Sequence, residues 1–509
     1  MSTADDRLTI RDSRHGEGPQ AGLSDGRWVV VMVLGLAALL GLRIAALRLN
    51  GTDLFFDEAQ YWSWSLTPDW GYYSKPPLVA WLITGATELC GHQEFCVRLP
   101  SPIVHTATAL VIFAIGRALY STAAGAISAL AFATLPGVSV SAGIISTDVP
   151  LLFFWALALF GLVMLRQTSA WWPALVLGLA LGGGLNAKYA MAWFALCLAA
   201  YLIATPRERG LLKDARLWLA LVMAAALIAP NLWWNSAHKF ATFAHTADNA
   251  KWHGGLVNPG KALEFFAAQF GVFGPILFAA LLAIAWRAWR DGLPERDRLL
   301  LAFALPVLVV ITVQALISRA HANWAAVSYV ASSILVTQTM MRDLDWRWLR
   351  GSMALHAVLL VALVAATIFA GRFVLPGGVD PFARTLGWRA VAEATTEELQ
   401  AARADGRPFA AVLTDDRSVT AELLYYMRED KTPVLAWRSG PRPADHYELT
   451  RPFTSAVKGP VLLVGLGEKR PSLLEKFEQS KAIKTRKLPA GAGKPREVSF
   501  FALEGYKEK

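Results

Sequence analysis

Long apolar runs constrain this chain more than any other feature. The first, WVVVMVLGLAALLGLRIAAL, covers Trp28 to Leu47. Others lie near residues 101–118, 123–141, 148–166, 171–187, 189–204, 216–234, 265–287, 299–317, 323–340 and 352–371. About 20 apolar residues cross a bilayer as a helix, and several runs approach that length. Reading one span per run gives about eleven. The first run is longer than a signal-peptide core and lacks a convincing small-residue cleavage site, so an uncleaved span is expected. A re-entrant piece fits residues 77–90. Residues 1–27 are polar and aperiodic, the pattern of a disordered tail.

Charge then sets the orientation. With the tail inside, the inside loops carry Arg117, Arg166, Arg207, Arg209, Lys213, Arg216, Arg287, Arg290, Arg296, Arg298, Arg342, Arg347 and Arg350. The outside loops after the first hold only Lys188, Lys239, Lys251, Lys261 and Arg319. Short cytoplasmic loops are enriched in Lys and Arg, so this topology is expected and its reverse is not. The net charge of +10 is therefore a record of topology, and no nucleic-acid partner is expected. With 55% hydrophobic and 17% charged residues the chain is too apolar for a soluble domain. An odd number of spans puts the C-terminus outside.

Three segments follow: a cytoplasmic tail (1–27), a membrane domain (28–374) with a long outer loop (49–100), and an outer domain (375–509). The last has soluble composition. An amphipathic helix fits WRAVAEATTEELQAARA, and strands fit FAAVLT, PVLAW and PVLLVGL, so a small α/β domain is expected. No Walker motif or dinucleotide fingerprint appears, and VGLGEK is too weak a match to a phosphate loop.

The polar groups that suggest chemistry converge on the outer face. The first loop holds Asp57 and Glu58, then Tyr61, Trp62, Tyr72 and Tyr73, then Lys75 before two prolines. Its rings either form an interfacial belt or stack on a sugar. Asp148 opens a span after Thr147; it is either a helix cap or a site carboxylate. Asn186, Lys188 and Tyr189 join two spans. Asn235, His238 and His245 follow another, and His321, Asn323 and Trp324 fill a short loop. Arg98 starts the second span. Arg43 lies near the outer end of the first, where it either faces a cavity or snorkels to the interface. His105 reads as a packed histidine. Carboxylates suit a general base, and cations suit a phosphate leaving group in a water-poor site. Nucleotide sugars are confined to the cytoplasm, so an outer-face transferase requires a donor carried on lipid.

Seven blocks carry a family resemblance: DEAQYWSWS, WGYYSKPPLVAWL, CVRLPS, STDVPLLFFWALAL, NAKYAMAWF, PNLWWNSAHKFATF and HANWAAVSY. In this order they resemble bacterial membrane glycosyltransferases related to protein O-mannosyltransferases, a group that includes the aminoarabinose transferase of lipid A and the galacturonosyltransferases of lipopolysaccharide. The resemblance covers roughly residues 40–340, and DPFARTLGW and DHYEL are similar to the outer domain of some members.

The resemblance implies a GT-C fold, a polyprenyl-phosphate-linked sugar donor, a glycolipid or glycan acceptor, and inversion at the sugar. It makes Asp57 the catalytic acid of the first loop with Glu58 beside it, and Asp148 the acid of the second. Lys75 becomes the lysine that meets the lipid phosphate, helped by Lys188, Arg98 and Arg43. Tyr61, Trp62, Tyr72, Tyr73, Tyr189, Asn235, His238, His321 and Asn323 are the candidate substrate contacts. In the aminoarabinose transferases a zinc-binding glutamate precedes the lysine; here that position is Ser74. No metal or other cofactor is assigned, a divalent cation requirement stays open, and the sugar moves away from aminoarabinose. A protein O-glycosyltransferase would use the same residues. A transporter or lipid flippase would spread polar groups through the membrane, and an inactive envelope protein would not need Asp57, Lys75 and Asp148. The expected home is the bacterial inner membrane, with the site periplasmic.

Cys90 and Cys96 fall on the expected oxidising side and are read as a disulfide, with two small buried thiols as the alternative. Cys197 lies in a span and suits packing.

Overall fold

The computed structural model describes residues 24–250, 257–343, 346–467 and 470–507. Most of the expected tail, and Lys251, lie outside these residues. The chain is helical to residue 368. Helix α1 (Asp25–Arg48) leads into α2 (Phe56–Ser65), α3 (Leu78–Cys90) and α4 (Glu94–Arg98), which build the first outer segment. Then come α5 (Pro100–Leu119), α6 (Thr122–Thr134), α7 (Pro136–Ser141), α8 (Asp148–Gln167), α9 (Trp172–Ala187), α10 (Trp193–Ala204), α11 (Ala215–Ala237) and α12 (Ala241–Ala250). Helices α13 (Pro259–Val272), α14 (Pro275–Asp291), α15 (Glu295–Ala302), α16 (Leu305–Ile317), α17 (Ser328–Asp343) and α18 (Trp346–Ile368) complete the bundle.

Every apolar run read from the sequence is helical, but the runs are not equal spans. Among the described residues, six stretches are long and apolar enough to cross a bilayer: Asp25–Arg48, Glu94–Leu119 (α4 and α5 together), Asp148–Gln167, Ala215–Ala237, Glu295–Ile317 (α15 and α16 together) and Trp346–Ile368. Leu78–Cys90, Thr122–Thr134, Trp172–Ala187 and Tyr189–Ala204 are shorter apolar helices. The run 265–287, read as one span, is two helices meeting at 116°. Gly274 explains the break: its φ of +88° is costly for any residue with a Cβ, and Pro275 then starts the next helix.

The bundle core packs Trp155 against Phe194 and Phe303, with Phe273 stacked on Tyr329. Its two ends differ in chemistry. At one end Arg166 pairs with Glu208 (2.7 Å) and Glu295 (2.6 Å), Arg342 with Asp297 (2.9 Å), and Arg287 with Asp343 (2.8 Å). These are loops that the charge count groups together. Helices α5 and α8 run from there to the opposite end, where Arg98 and Asp148 stand.

After residue 368 the chain forms α19 (Trp388–Ala404), β1 (Ala411–Thr414), α20 (Arg417–Tyr426), β2 (Val434–Ala436), α21 (His446–Thr450), β3 (Val461–Leu466), α22 (Pro471–Leu474), β4 (Phe477–Leu488) and β5 (Arg496–Tyr506). The sheet order is β2-β1-β3-β5-β4. Strands β1, β2 and β3 pair in parallel, while β5 is antiparallel to both β3 and β4. Helix α20 packs on α2. One apolar cluster joins Tyr61, Trp62, Trp64 and Tyr72 of the first segment to Ala421, Tyr425 and Tyr447 of the sheet unit. Hydrogen bonds reinforce it: Leu54 N donates to Tyr426 Oη (2.8 Å), Tyr425 Oη to His92 O (2.8 Å), and Trp388 N to Asp53 Oδ2 (2.8 Å).

Candidate active site

Helix α2 sorts two adjacent carboxylates into different surroundings. Both stand in its first turn, where the helix dipole favours negative charge. Glu58 turns inward. It accepts from Phe55 N (2.9 Å), Ile145 N (2.9 Å), and Arg98 Nε (3.0 Å) and Nη2 (2.8 Å). Arg98 also donates to Thr52 O (3.3 Å) and Asp53 O (2.7 Å). Both residues are 1% exposed. Arg98, expected at a donor phosphate, is therefore committed to Glu58 and backbone carbonyls. The reason is geometric: the planar guanidinium finds a fixed carboxylate across from it.

Asp57 turns outward, with 37% of its side chain exposed. Its Oδ1 accepts from Arg417 Nη1 at 2.8 Å, and the same Nη1 donates to Gln60 Oε1 at 2.6 Å. Burial opposes the charge on Arg417, but Asp57 more than offsets this, so the guanidinium holds its proton more firmly than usual. Arg417 stands at the start of α20, beyond the bundle. The sequence reading missed it, because no linear signal links residues 360 apart.

Asp148 joins three loops. Its Oδ1 meets Lys188 Nζ at 2.7 Å, and its Oδ2 accepts from Asn323 Nδ2 at 2.7 Å. Lys188 is placed by an extended residue between α9 and the turn Tyr189–Ala192. Lys75 lies in electrostatic reach of Asp57, Asp148, Lys188 and Arg417. Burial pushes its ammonium down to about 8; Lys188 adds to this, and the two aspartates oppose it. Among the described residues its ammonium has no hydrogen-bond or ion-pair partner. His245 faces Tyr73 edge-on at 5.5 Å; burial, then Lys75 and Arg417, lowers its imidazole to about 4.

The loop aromatics occupy different places from those expected. Trp62 donates Nε1 to His92 Nδ1 (3.1 Å) and packs edge-on to Tyr425. Tyr72 stacks on Trp64 at 4.6 Å and donates to Trp64 O (3.0 Å). Tyr73 donates to Pro443 O (2.8 Å). Tyr61 is buried, which raises its hydroxyl well above the usual phenol range, with Asp57 adding to the effect. These four rings are packing groups rather than an open sugar platform, because the sheet unit comes down on them. The loop also tucks against α11. Gly71 permits that approach, since a Cβ there would stand 2.7 Å from the Trp234 ring and 2.8 Å from Asn231 Nδ2.

Tyr189 and Asn235 are engaged with Asn231: Tyr189 Oη donates to Asn231 Oδ1 (2.7 Å), and Asn235 Nδ2 to Tyr189 Oη (3.1 Å) and Asn231 O (3.0 Å). His238 stacks on Trp234 at 4.0 Å and bonds its carbonyl. His321 packs edge-on to Trp324 at 5.3 Å and lies in electrostatic reach of Lys188. Arg43 is elsewhere: it donates to Ala133 O in the last turn of α6, near His105. It satisfies a helix-end carbonyl instead of joining the Lys75 group. Cys90 and Cys96 are joined by a disulfide between α3 and α4. Among the described residues no three His, Cys, Asp or Glu side chains gather into a metal-ligand set.

A helical bundle carrying carboxylates and cations at one end, capped by a small α/β unit, defines a class. The chain belongs to the bacterial GT-C membrane glycosyltransferases of the protein O-mannosyltransferase and lipid A aminoarabinose transferase-like superfamily. Residues 74–234 match the family described as dolichyl-phosphate-mannose-protein mannosyltransferase. Lipid A galacturonosyltransferase RgtD of Rhizobium johnstonii is 37% identical over 435 residues, covering 84% of this chain and 90% of the relative. Lipopolysaccharide core galacturonosyltransferase RgtA of the same organism is 28% identical over 259 residues, 50% of this chain and 51% of the relative. ArnT from Cupriavidus metallidurans, solved bound to undecaprenyl phosphate, shares the fold with a TM-score of 0.66 at 18% identity, covering 94% of this chain and 98% of that one.

Proposed function

We propose that this protein transfers a sugar from a polyprenyl-phosphate donor to a lipid A or other lipopolysaccharide acceptor, with inversion, at the periplasmic face of the inner membrane. The observation that carries this is the unpartnered, desolvated Lys75 ammonium beside the half-exposed Asp57 carboxylate. A partly buried cation with no direct ion-pair partner among the described residues is poised for an anion, and a lipid phosphate is the anion that a membrane-edge site meets. The similarity to RgtD supports galacturonate as the sugar and lipid A as the acceptor, and the ArnT complex supports a polyprenyl carrier. The basic end of the bundle, with Arg166, Arg287 and Arg342, supports placing the opposite end in the periplasm.

Asp57 takes the proton of the acceptor hydroxyl as its oxygen attacks the anomeric carbon. The bond from that carbon to the phosphate oxygen breaks on the far side, which inverts the centre. The departing polyprenyl phosphate keeps the electron pair, and Lys75 meets its charge. Lys188, held by Asp148, adds a second positive charge. Arg98 takes no part, since its donors are used within the scaffold, and Arg43 is turned to the Ala133 carbonyl, away from the Lys75 group.

Purified protein should release polyprenyl phosphate from polyprenyl-phosphate galacturonate only when lipid A is added, and the lipid A should gain one uronic acid by mass spectrometry. Unchanged lipid A with intact donor would contradict the reading. A modified Ser or Thr peptide offered in parallel would redirect it to a protein acceptor.

A further inference from the structure

The carboxylate of Asp57 stands on α2 and is met there by a residue from outside the helix. We infer that Arg417, delivered by the sheet unit, is the positioning residue of Asp57, so that the site is complete only when that unit is docked. The inference rests on the proposed role of Asp57.

Four observations support it. Among the described residues Asp57 has no hydrogen-bond or ion-pair partner except Arg417, whose Nη1 meets Oδ1 at 2.8 Å. The second carboxylate oxygen is thereby left for the acceptor hydroxyl. The same Nη1 also meets Gln60 Oε1 at 2.6 Å, one turn along α2, so the guanidinium is registered to the helix at two points. Its carbon lies 4.9 Å from the centre of the Phe56 ring, a third contact on the same helix.

The backbone that carries Arg417 is equally fixed. Asp416 caps α20 by accepting from Ser418 N (2.7 Å) and Val419 N (3.2 Å). Thr414 and Thr420 join their hydroxyls at 2.6 Å just behind it. Tyr426 Oη accepts from Leu54 N and donates to Glu94 Oε1 (2.6 Å), and Ser63 Oγ meets Tyr447 Oη at 3.0 Å. The first segment and the sheet unit are thus pinned on both sides of Arg417. An aspartate with two free side-chain torsions would otherwise sample several directions. Holding a base within a few tenths of an ångström matters, because a shift of about 1 Å can cost about 100-fold in rate.

The test uses the full-length protein and four variants: R417M, R417K, D57N and R389A. R417M keeps the apolar stem and removes the donors. It should lower kcat about 10- to 100-fold and leave the donor KM within about twofold, because the loss falls on the aim of the base. R417K, which keeps one charged donor, should recover part of that loss. R389A removes exposed ion pairs to Asp53 and Glu94 at the same junction without touching Asp57. It should keep wild-type kcat, which separates aim from docking. In the D57N background, R417M should cause no further loss. Wild-type kcat in R417M, with D57N inactive, overturns this inference alone. An equal loss in R417K and R417M, or a matching loss in R389A, also overturns it by assigning the effect to docking. A fully active D57N overturns the proposed function itself.

Discussion

Asp57 and Glu58 are neighbours in sequence and opposites in circumstance. Glu58 is sealed among four donors, two of them from the buried Arg98, and it ties α2 to α4 and to the turn before α8. Asp57 is partly open and, among the described residues, has one partner, borrowed from a distant unit. A carboxylate whose lone pairs are all occupied holds a scaffold. One with an unoccupied oxygen at the edge of a cation cluster can take a proton. The difference comes from helix geometry, since successive residues point about 100° apart and only one can face the core.

The largest effect is expected at the buried pair of Glu58 and Arg98. Replacing Arg98 with Met leaves Glu58 charged, buried and short of donors. It should destabilise the protein by about 3–5 kcal/mol, read as a large fall in melting temperature in detergent. If R98M keeps its stability and loses only donor affinity, Arg98 belongs to the phosphate site after all. Next is the Asp148 group. D148N removes the charge that holds Lys188 and should cut kcat/KM by about 100-fold with little change in melting temperature.

The pH dependence sharpens the cation side. Lys75 carries its charge below about pH 8 and loses it above, because burial depresses its ammonium. Donor kcat/KM should therefore fall as pH rises through about 8. K75R should move that limb upward, since arginine keeps its proton. A profile flat to pH 10 would remove Lys75 from the phosphate. The smallest effect belongs to the disulfide. C90S should cost about 2 kcal/mol, as expected for a short closed loop, and leave kcat within about twofold. Alkylation of both Cys90 and Cys96 in unreduced protein would show no bridge.

What the sequence showed and hid follows from range. Apolar runs report burial locally, so all the helical runs were legible. The bend at Gly274 was not, because a positive φ leaves no mark in hydropathy. In the sheet unit the three parallel strands β1, β2 and β3 were read from their apolar residues, while the inner strand β5 was not. Strand β4, FEQSKAIKTRKL, was missed because an edge strand is guarded by charge. The polar ends of α2 and α8 flagged Asp57 and Asp148, and loop position flagged Lys188 and Asn323. Whether Trp62 and Tyr72 stack on a ligand or on protein depends on what covers them, and the cover is contributed by Tyr425 and Tyr447. Arg417 is hidden for the same reason.

Asp57, and not Glu58, is the proposed base. The direct measurement is transfer by purified D57N, with its melting temperature recorded alongside. A wild-type melt and a loss of at least about 1,000-fold in kcat are expected, within the range for removing a general base. A D57N enzyme with a wild-type melt and near wild-type transfer would contradict it.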